Sequence, residues 1–152
     1  MSYSKDDLLF APLGGSGEIG MNVNLYHFRD SWIMVDLGIS FPDESTPGVD
    51  VILPDLKFIA DRRHKLAGLV LTHGHEDHFG AIPYLWSQIR CPIYGSAFTI
   101  ALLQRKLTES RVDFDIPLHK ISMNAPFNLG SFELEMVAMN HSIPDPAALA
   151  IR

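Results

Sequence analysis

At 152 residues with 47% apolar side chains, the chain is the size of one domain and can bury a sizeable core. Its 12 basic against 18 acidic residues give a formal charge of −6, which excludes a surface that holds nucleic acid by a basic stripe alone; only a metal centre would reverse that sign locally. The single cysteine, Cys91, excludes an internal disulfide, and without a signal-peptide core or an apolar window of ~20 residues the chain reads as soluble and cytoplasmic, with no membrane partner.

The stretch LLFAPLGG (8–15) reads as a short strand ending in glycines. MNVNLYHFRD (21–30) alternates, with Val23 and Leu25 on one face and Asn22 and Asn24 on the other, the period of a strand. A turn at Arg29–Ser31 leads into a second, buried strand in SWIMVDLG (31–38). ISFPDESTPGVD (39–50) is a loop by its turn residues. VILPDLKFIADRRHKL (51–66) places Leu53, Leu56, Ile59 and Ala60 at helical spacing. AGLVLT (67–72) is a buried strand, and DHFGAIPYLWSQI (77–89) a helix shortened by Gly80 and Pro83. PIYGS (92–96) reads as a strand, and AFTIALLQRKLTES (97–110) as a helix with its basic residues late, where the dipole favours them. PLHKIS and SFELEMVAMN are strands on either side of a turn at FNLGS (127–131), and PAALAIR (146–152) is a strand just beginning. Strands first, then strands alternating with helices, fit a mixed sheet covered by helices.

Two motifs stand out. GGSGEIG contains Gly15-x-Gly17-x-x-Gly20, with Asp36 about 20 residues on, the spacing of a dinucleotide fingerprint. That chemistry needs a helix N-terminus to receive the pyrophosphate. The strand pattern of MNVNLYHF follows instead, so the glycines read as a turn between strands. THGHEDHFGAIPYL (72–85) gathers His73, His75 and His78 with Glu76 and Asp77 at the end of a buried strand. His73 and His75, one residue apart, can turn to a common point on a loop, while Asp77 and His78 can face a second point. Nitrogen and carboxylate donors of this kind suit zinc, with manganese open as well. A solvated loop with Asp77 capping a helix would account for Asp77 but not for three histidines in six residues.

His-x-His-x-Asp-His resembles the motif of the metallo-β-lactamase superfamily. LGGSGEIGMN, DLGISFPD and NHSIPDPAALAIR are similar, in order and separation, to the N-terminal part of the ribonuclease J family, bacterial RNases of the β-CASP group. The resemblance implies an α/β fold, the N-terminal portion of an αββα sandwich. It implies zinc-dependent hydrolysis of RNA phosphodiesters, 5′-to-3′ exonucleolytic and endonucleolytic. His73, His75 and His141 would hold one zinc, and Asp77 and His78 a second, with manganese or magnesium open. Asp77 would also act in catalysis, and Asp36 would support the ligands from behind. Ser142 and Phe41 are candidates for substrate contacts. Glu76 is expected to be exposed and without a role, and His27, His64 and His119 to be ordinary surface or edge histidines.

On this resemblance, residues 1–152 are an incomplete metallo-β-lactamase domain. The bridging aspartate, the β-CASP domain and the C-terminal domain lie outside them, and the full-length protein is expected to form homo-oligomers. The piece alone is expected to be inactive and to self-associate, with the apolar faces of GLVL and FELEMVAM partly uncovered. Two other classes stay open: a thioesterase or lactonase on the same fold, separated by its substrates, and a non-catalytic metal-binding piece, separated by comparison with a longer chain.

Overall fold

The computed structural model describes residue 4 and residues 6–44, 46–113 and 115–152. Strands β1 (Leu9–Gly14), β2 (Val23–Phe28) and β3 (Ser31–Val35) form an antiparallel meander. The alternation of β2 is realised in full: Val23 and Leu25 are completely buried, while Asn22 and Asn24 are not. Arg29 makes the turn into β3 in the left-handed region (φ 54°). From β3 onward the sheet continues in parallel through β4 (Leu66–Val70), β5 (Ile93–Gly95) and β6 (Leu118–Lys120), so the six strands lie in sequence order. A smaller antiparallel sheet holds β7 (Pro126–Leu129), β8 (Phe132–Ala138) and β9 (Ala147–Ile151).

The apolar runs of β3 and β4 are continuous because both faces of these strands are covered. Met34 and Leu69 point into a large core with Ile59, Ile82, Ile89 and Ile100 from the helical segments. Their neighbours Ile33 and Val70 point the other way, into a smaller core with Leu129, Phe132 and Leu134 of the second sheet. The layers are therefore helices, six-stranded sheet and three-stranded sheet, three layers of the expected sandwich.

The structure differs from the sequence reading at four places. Residues 51–66 form one short helix, α1 (Lys57–Ala60), and a 3-10 turn (Arg63–Lys65). Pro54 disfavours helical geometry at Leu53, although Leu56 and Ile59 still bury their side chains. Residues 77–89 split into α2 (Glu76–Phe79) and α3 (Ile82–Ile89), with Pro83 in the first turn of α3, where no N–H is needed. Phe127–Leu129 are not turn but strand, paired to β8. The turn is Gly130–Ser131 alone, with Gly130 at φ 58°. The strands GLVL and FELEMVAM have covered inner faces, with Leu69, Val70, Leu134 and Met136 at 0–1% exposure, while Val137 and Met139 of the second stay 37% and 55% exposed. Helix α4 (Ala97–Glu109) forms where its pattern placed it, its N-terminus capped by Ser96, which accepts from the Thr99 N–H.

Candidate metal centre

Strands β3 and β4 are parallel neighbours, so the segments leaving them emerge side by side at their C-terminal ends, where α/β sheets place their sites. Asp36 is the first residue past β3. It takes the left-handed conformation (φ 63°), which Asp tolerates better than most residues. Its carboxylate is 3% exposed and fully engaged. Oδ1 accepts from the Thr72 N–H at 2.8 Å, and Oδ2 accepts from the Thr72 hydroxyl at 2.8 Å and from His78 Nδ1 at 2.7 Å.

The next residues lie flat against α2. Leu37 N–H donates to the His78 carbonyl (2.7 Å), Ile39 N–H to the Glu76 carbonyl (3.1 Å) and Asn22 N–H to the Asp77 carbonyl (2.9 Å). These bonds supplement the Glu76 carbonyl's own helical bond from the Gly80 N–H (2.8 Å) and serve carbonyls that so short a helix leaves outside its ladder. Gly38 permits the approach, since a Cβ there would overlap the Asp77 carbonyl. The loop through Gly15, Gly17 and Gly20 has positive φ at all three glycines (78°, 82° and 92°) and leads into a strand, as the turn reading required. It delivers Asn22, which the sequence reading saw only as the polar face of a strand. Its Nδ2 lies 3.1 Å from the Asp77 carbonyl, 3.3 Å from Asp77 Oδ2 and 3.2 Å from His78 Nε2. Its place directly after the glycine turn was the one available signal.

His73, His75 and His141 converge, with one ring nitrogen from each lying within 4.8 Å of the others. His73 Nε2 and His75 Nδ1 are 3.1 Å apart. His141 comes from the β8–β9 connection, 68 residues after His73 in the numbering, yet each pair among the three rings has its centroids 4.8 Å apart. Two backbone bonds set that loop: Met139 N–H to the Pro146 carbonyl and Ala147 N–H to the Thr72 carbonyl, both 3.0 Å. Asp77 and His78 are not part of this triad. They face each other at 3.4 Å (Asp77 Oδ2 to His78 Nε2) across from Asn22, with the His78 ring 4.0 Å from that of His73.

The electrostatics suit a cation. His73 is 7% exposed, and burial, reinforced by His78, His75 and His141, lowers its pKa to about 4. It is therefore neutral near pH 7, with a lone pair to offer. Burial also opposes charge on His78, but the hydrogen bond it donates to Asp36 and the charges of Asp36 and Asp77 outweigh it and raise its pKa. Three clustered imidazoles, with a carboxylate and a fourth imidazole beside them, form a donor set that fits a divalent ion such as zinc.

The remaining candidates fall around this centre. Phe41 is 65% exposed and, with Ile19 (96% exposed), borders a groove of about 460 Å³ that reaches His75 and Asp77. Ser142 is exposed beside His141. Glu76 departs from its expectation: it is only half-exposed and takes Lys106 Nζ on both carboxylate oxygens (2.9 and 2.8 Å), which ties α4 to the histidine loop. His64 is exposed, and His119 is exposed and stacked on Tyr94. His27 is not an ordinary surface histidine, since its Nδ1 is buried.

The family model described as the metallo-beta-lactamase superfamily matches residues 18–146. The chain is 44% identical to Ribonuclease J of Sinorhizobium meliloti over 151 residues, covering 97% of this chain and 27% of that protein. It is 41% identical to Ribonuclease J of Thermus thermophilus (97% and 27%) and 39% identical to Ribonuclease J of Helicobacter pylori (98% and 22%). The chain thus spans about a quarter of the length of these curated relatives. Among solved structures, a metallo-beta-lactamase fold protein from Bacillus subtilis matches with TM-score 0.64 at 18% identity, over 94% of this chain and 56% of that one. A protein of unknown function from Enterococcus faecalis matches with TM-score 0.71 at 22% identity, over 96% and 41%. Likeness at such identities is a likeness of fold. No helix among the described residues is long and apolar enough to cross a membrane.

Proposed function

The chain belongs to the metallo-β-lactamase superfamily, and from that premise we propose that it carries metal ligands of a ribonuclease of the ribonuclease J type, acting on RNA phosphodiesters from the 5′ end and internally. The observation that carries this reading is the convergence of His73, His75 and His141 at the ends of two sheets, in a chain about 40% identical to proteins named Ribonuclease J.

In this reading His73, His75 and His141 hold one zinc ion, and Asp77 with His78 a second. Such ions lower the pKa of water towards ~7 and stabilise charge on attacking and leaving oxygens. The chain's own residues prepare the site. Asp36 accepts a hydrogen bond from His78 Nδ1–H, which holds the ring proton there and leaves the Nε2 lone pair facing Asp77. Asn22 donates to the Asp77 carbonyl and carboxylate and holds that side chain beside His78. Phe41 and Ile19 offer an apolar shelf along the groove to a base next to the scissile bond, and Ser142 offers a hydroxyl to phosphate. RNA as substrate and self-association of the complete enzyme belong to the same proposal.

The acidic balance of the chain favours one other reading, a thioesterase or lactonase. Both are tested on the longest natural polypeptide that contains these residues, with 5′-monophosphorylated RNA set against a thioester and lactone panel. RNA cleavage that is abolished by chelation, and by His75→Ala or Asp77→Ala, supports the nuclease. Turnover of the panel alone, or unimpaired RNA cleavage by either variant, overturns it.

A further inference from the structure

The opposite end of the sheet carries a second pocket, of about 480 Å³, whose walls come from β1, β2, β3 and the segment through α1. Trp32 lies near the start of β3 and Asp36 follows its end, about 13 Å further along at ~3.3 Å per strand residue, so the pocket and the metal centre sit at opposite ends of this strand. Its volume is that of a small-molecule site.

The lining is aromatic with a cationic rim. The His27 ring lies 4.6 Å from Trp32, and Trp32 meets Phe58 edge-on at 5.4 Å. Phe10 and Phe58 are 54% and 40% exposed, Phe10 with its ring 5.2 Å from that of Tyr26. The Arg62 guanidinium lies 4.2 Å from the Phe58 centroid and donates to the Phe58 carbonyl at 2.8 Å. Among the described residues it has no ion-pair partner. Lys65 has only a 3.9 Å approach to Asp30, whose side chain is 93% exposed. In a chain of charge −6, Arg62 without an ion pair and Lys65 with only this distant one place two cations beside exposed aromatic rings. His27 Nδ1 is buried and, among the described residues, without a hydrogen-bond partner. Burial and then Lys65 lower the pKa of this ring, against Asp30, which favours its neutral form. A turn about Cβ–Cγ interchanges Nδ1 and Cδ2 and presents that nitrogen elsewhere in the wall.

We propose that this pocket binds a nucleoside 5′-phosphate, with the base between the aromatic faces and the phosphate on Arg62 and Lys65. Stacking suits any base, because every base has a π-face, and the two cations meet the anion. The ligand is either a free mononucleotide or one nucleotide of an RNA strand passing the far side of the domain. The proposal does not depend on the reaction at the histidine cluster.

The test is titration of the protein with AMP, adenosine, inorganic phosphate and a short 5′-phosphorylated oligoribonucleotide, followed by tryptophan fluorescence. Of the two tryptophans, Trp86 is in the helix-side core with its N–H on the Cys91 carbonyl, so a saturable change reports Trp32. AMP is expected to bind more tightly than adenosine or phosphate alone. Arg62→Met and Lys65→Met, both at exposed positions, are expected to weaken AMP binding about tenfold each while leaving the unfolding midpoint in place. His75→Ala is expected to leave it unchanged, which separates this site from the metal centre. Tighter binding of the oligonucleotide than of AMP assigns the pocket to the RNA track, and the reverse assigns it to a free nucleotide. No saturable change with either, or equal loss in His75→Ala, overturns the proposal.

Discussion

Replacing Asp36 by Asn isolates what its charge does from what its shape does. Asn has nearly the same volume and tolerates the left-handed φ of 63° at least as well. Its carbonyl oxygen can still accept from the Thr72 N–H, and the Thr72 hydroxyl can reverse and accept from the new amide. His78 has no such freedom: an amide N–H in place of Oδ2 at 2.7 Å makes Nδ1 the acceptor and moves the ring proton to Nε2. The lone pair beside Asp77 is then gone. Exchanging charge-assisted bonds for neutral ones costs about 1–2 kcal/mol of stability, whereas losing the partner that orients a ligand histidine costs about 10–100-fold in metal affinity. Asp36→Ala should behave differently. It leaves the Thr72 N–H and the His78 N–H unpaired at about 1–3 kcal/mol each and strains the left-handed position by about 1–2 kcal/mol, a loss on the order of 4 kcal/mol. Urea unfolding of the metal-free proteins and competition titration with zinc give both quantities. A folded Asp36→Asn protein with wild-type zinc affinity would refute the tautomer argument, and equal destabilisation by Asn and Ala would reduce Asp36 to packing.

Gly38→Ala should destabilise by about 3 kcal/mol or more, because its Cβ meets the Asp77 carbonyl and the backbone must move. Gly17→Ala, with open space but φ 82°, should cost only about 1 kcal/mol in the same urea series. Glu76→Gln should cost under about 1 kcal/mol, since the Lys106 pair is half-exposed and the amide oxygen still accepts; a drop in zinc affinity on titration would instead place Glu76 in the centre. In the metal-free protein, imidazole NMR titration should find His73 protonating only near pH 4, against an ordinary 6.5, and His78 above its ordinary value. The unfolded chain takes the His73 proton first, so His73 lowers stability as pH falls from 6.5 to about 4. The His78–Asp36 pair works in the opposite sense: its contribution is full below pH 6.5 and is lost as pH rises through the raised value.

The sequence was most legible where one constraint ruled a whole segment. The alternation in β2 and the double-sided burial of β3 and β4 follow from water exclusion alone. The histidine motif announced donors by type and spacing, yet which of them converge depended on the β8–β9 connection that carries His141 to His73 and His75. The partnership of Asp36 with Thr72 and His78 joins residues 36 and 42 positions apart through the parallel register of β3 and β4, which no local pattern encodes. Asn22 was hidden for a related reason: a short polar side chain on an alternating strand looks solvated until α2 is laid against it. Strand β7 was missed because Pro126 and Asn128 are weak strand formers, and only pairing with Phe132–Glu135 holds them extended.

The bond from Ala147 N–H to the Thr72 carbonyl bears on how the chain reaches its native state. It joins the first residue of β9 to the segment that opens the histidine loop, so the triad cannot assemble until the β8–β9 part of the second sheet has docked. Ion capture by His73, His75 and His141 would then act as a removable cross-link closing a long loop, and its free energy would add to native stability by mass action. Such a chain should fold slowly through its non-local pairings and gain its ion last. Stopped-flow refolding should show protein signals levelling off before metal uptake, at a rate that does not rise with metal concentration.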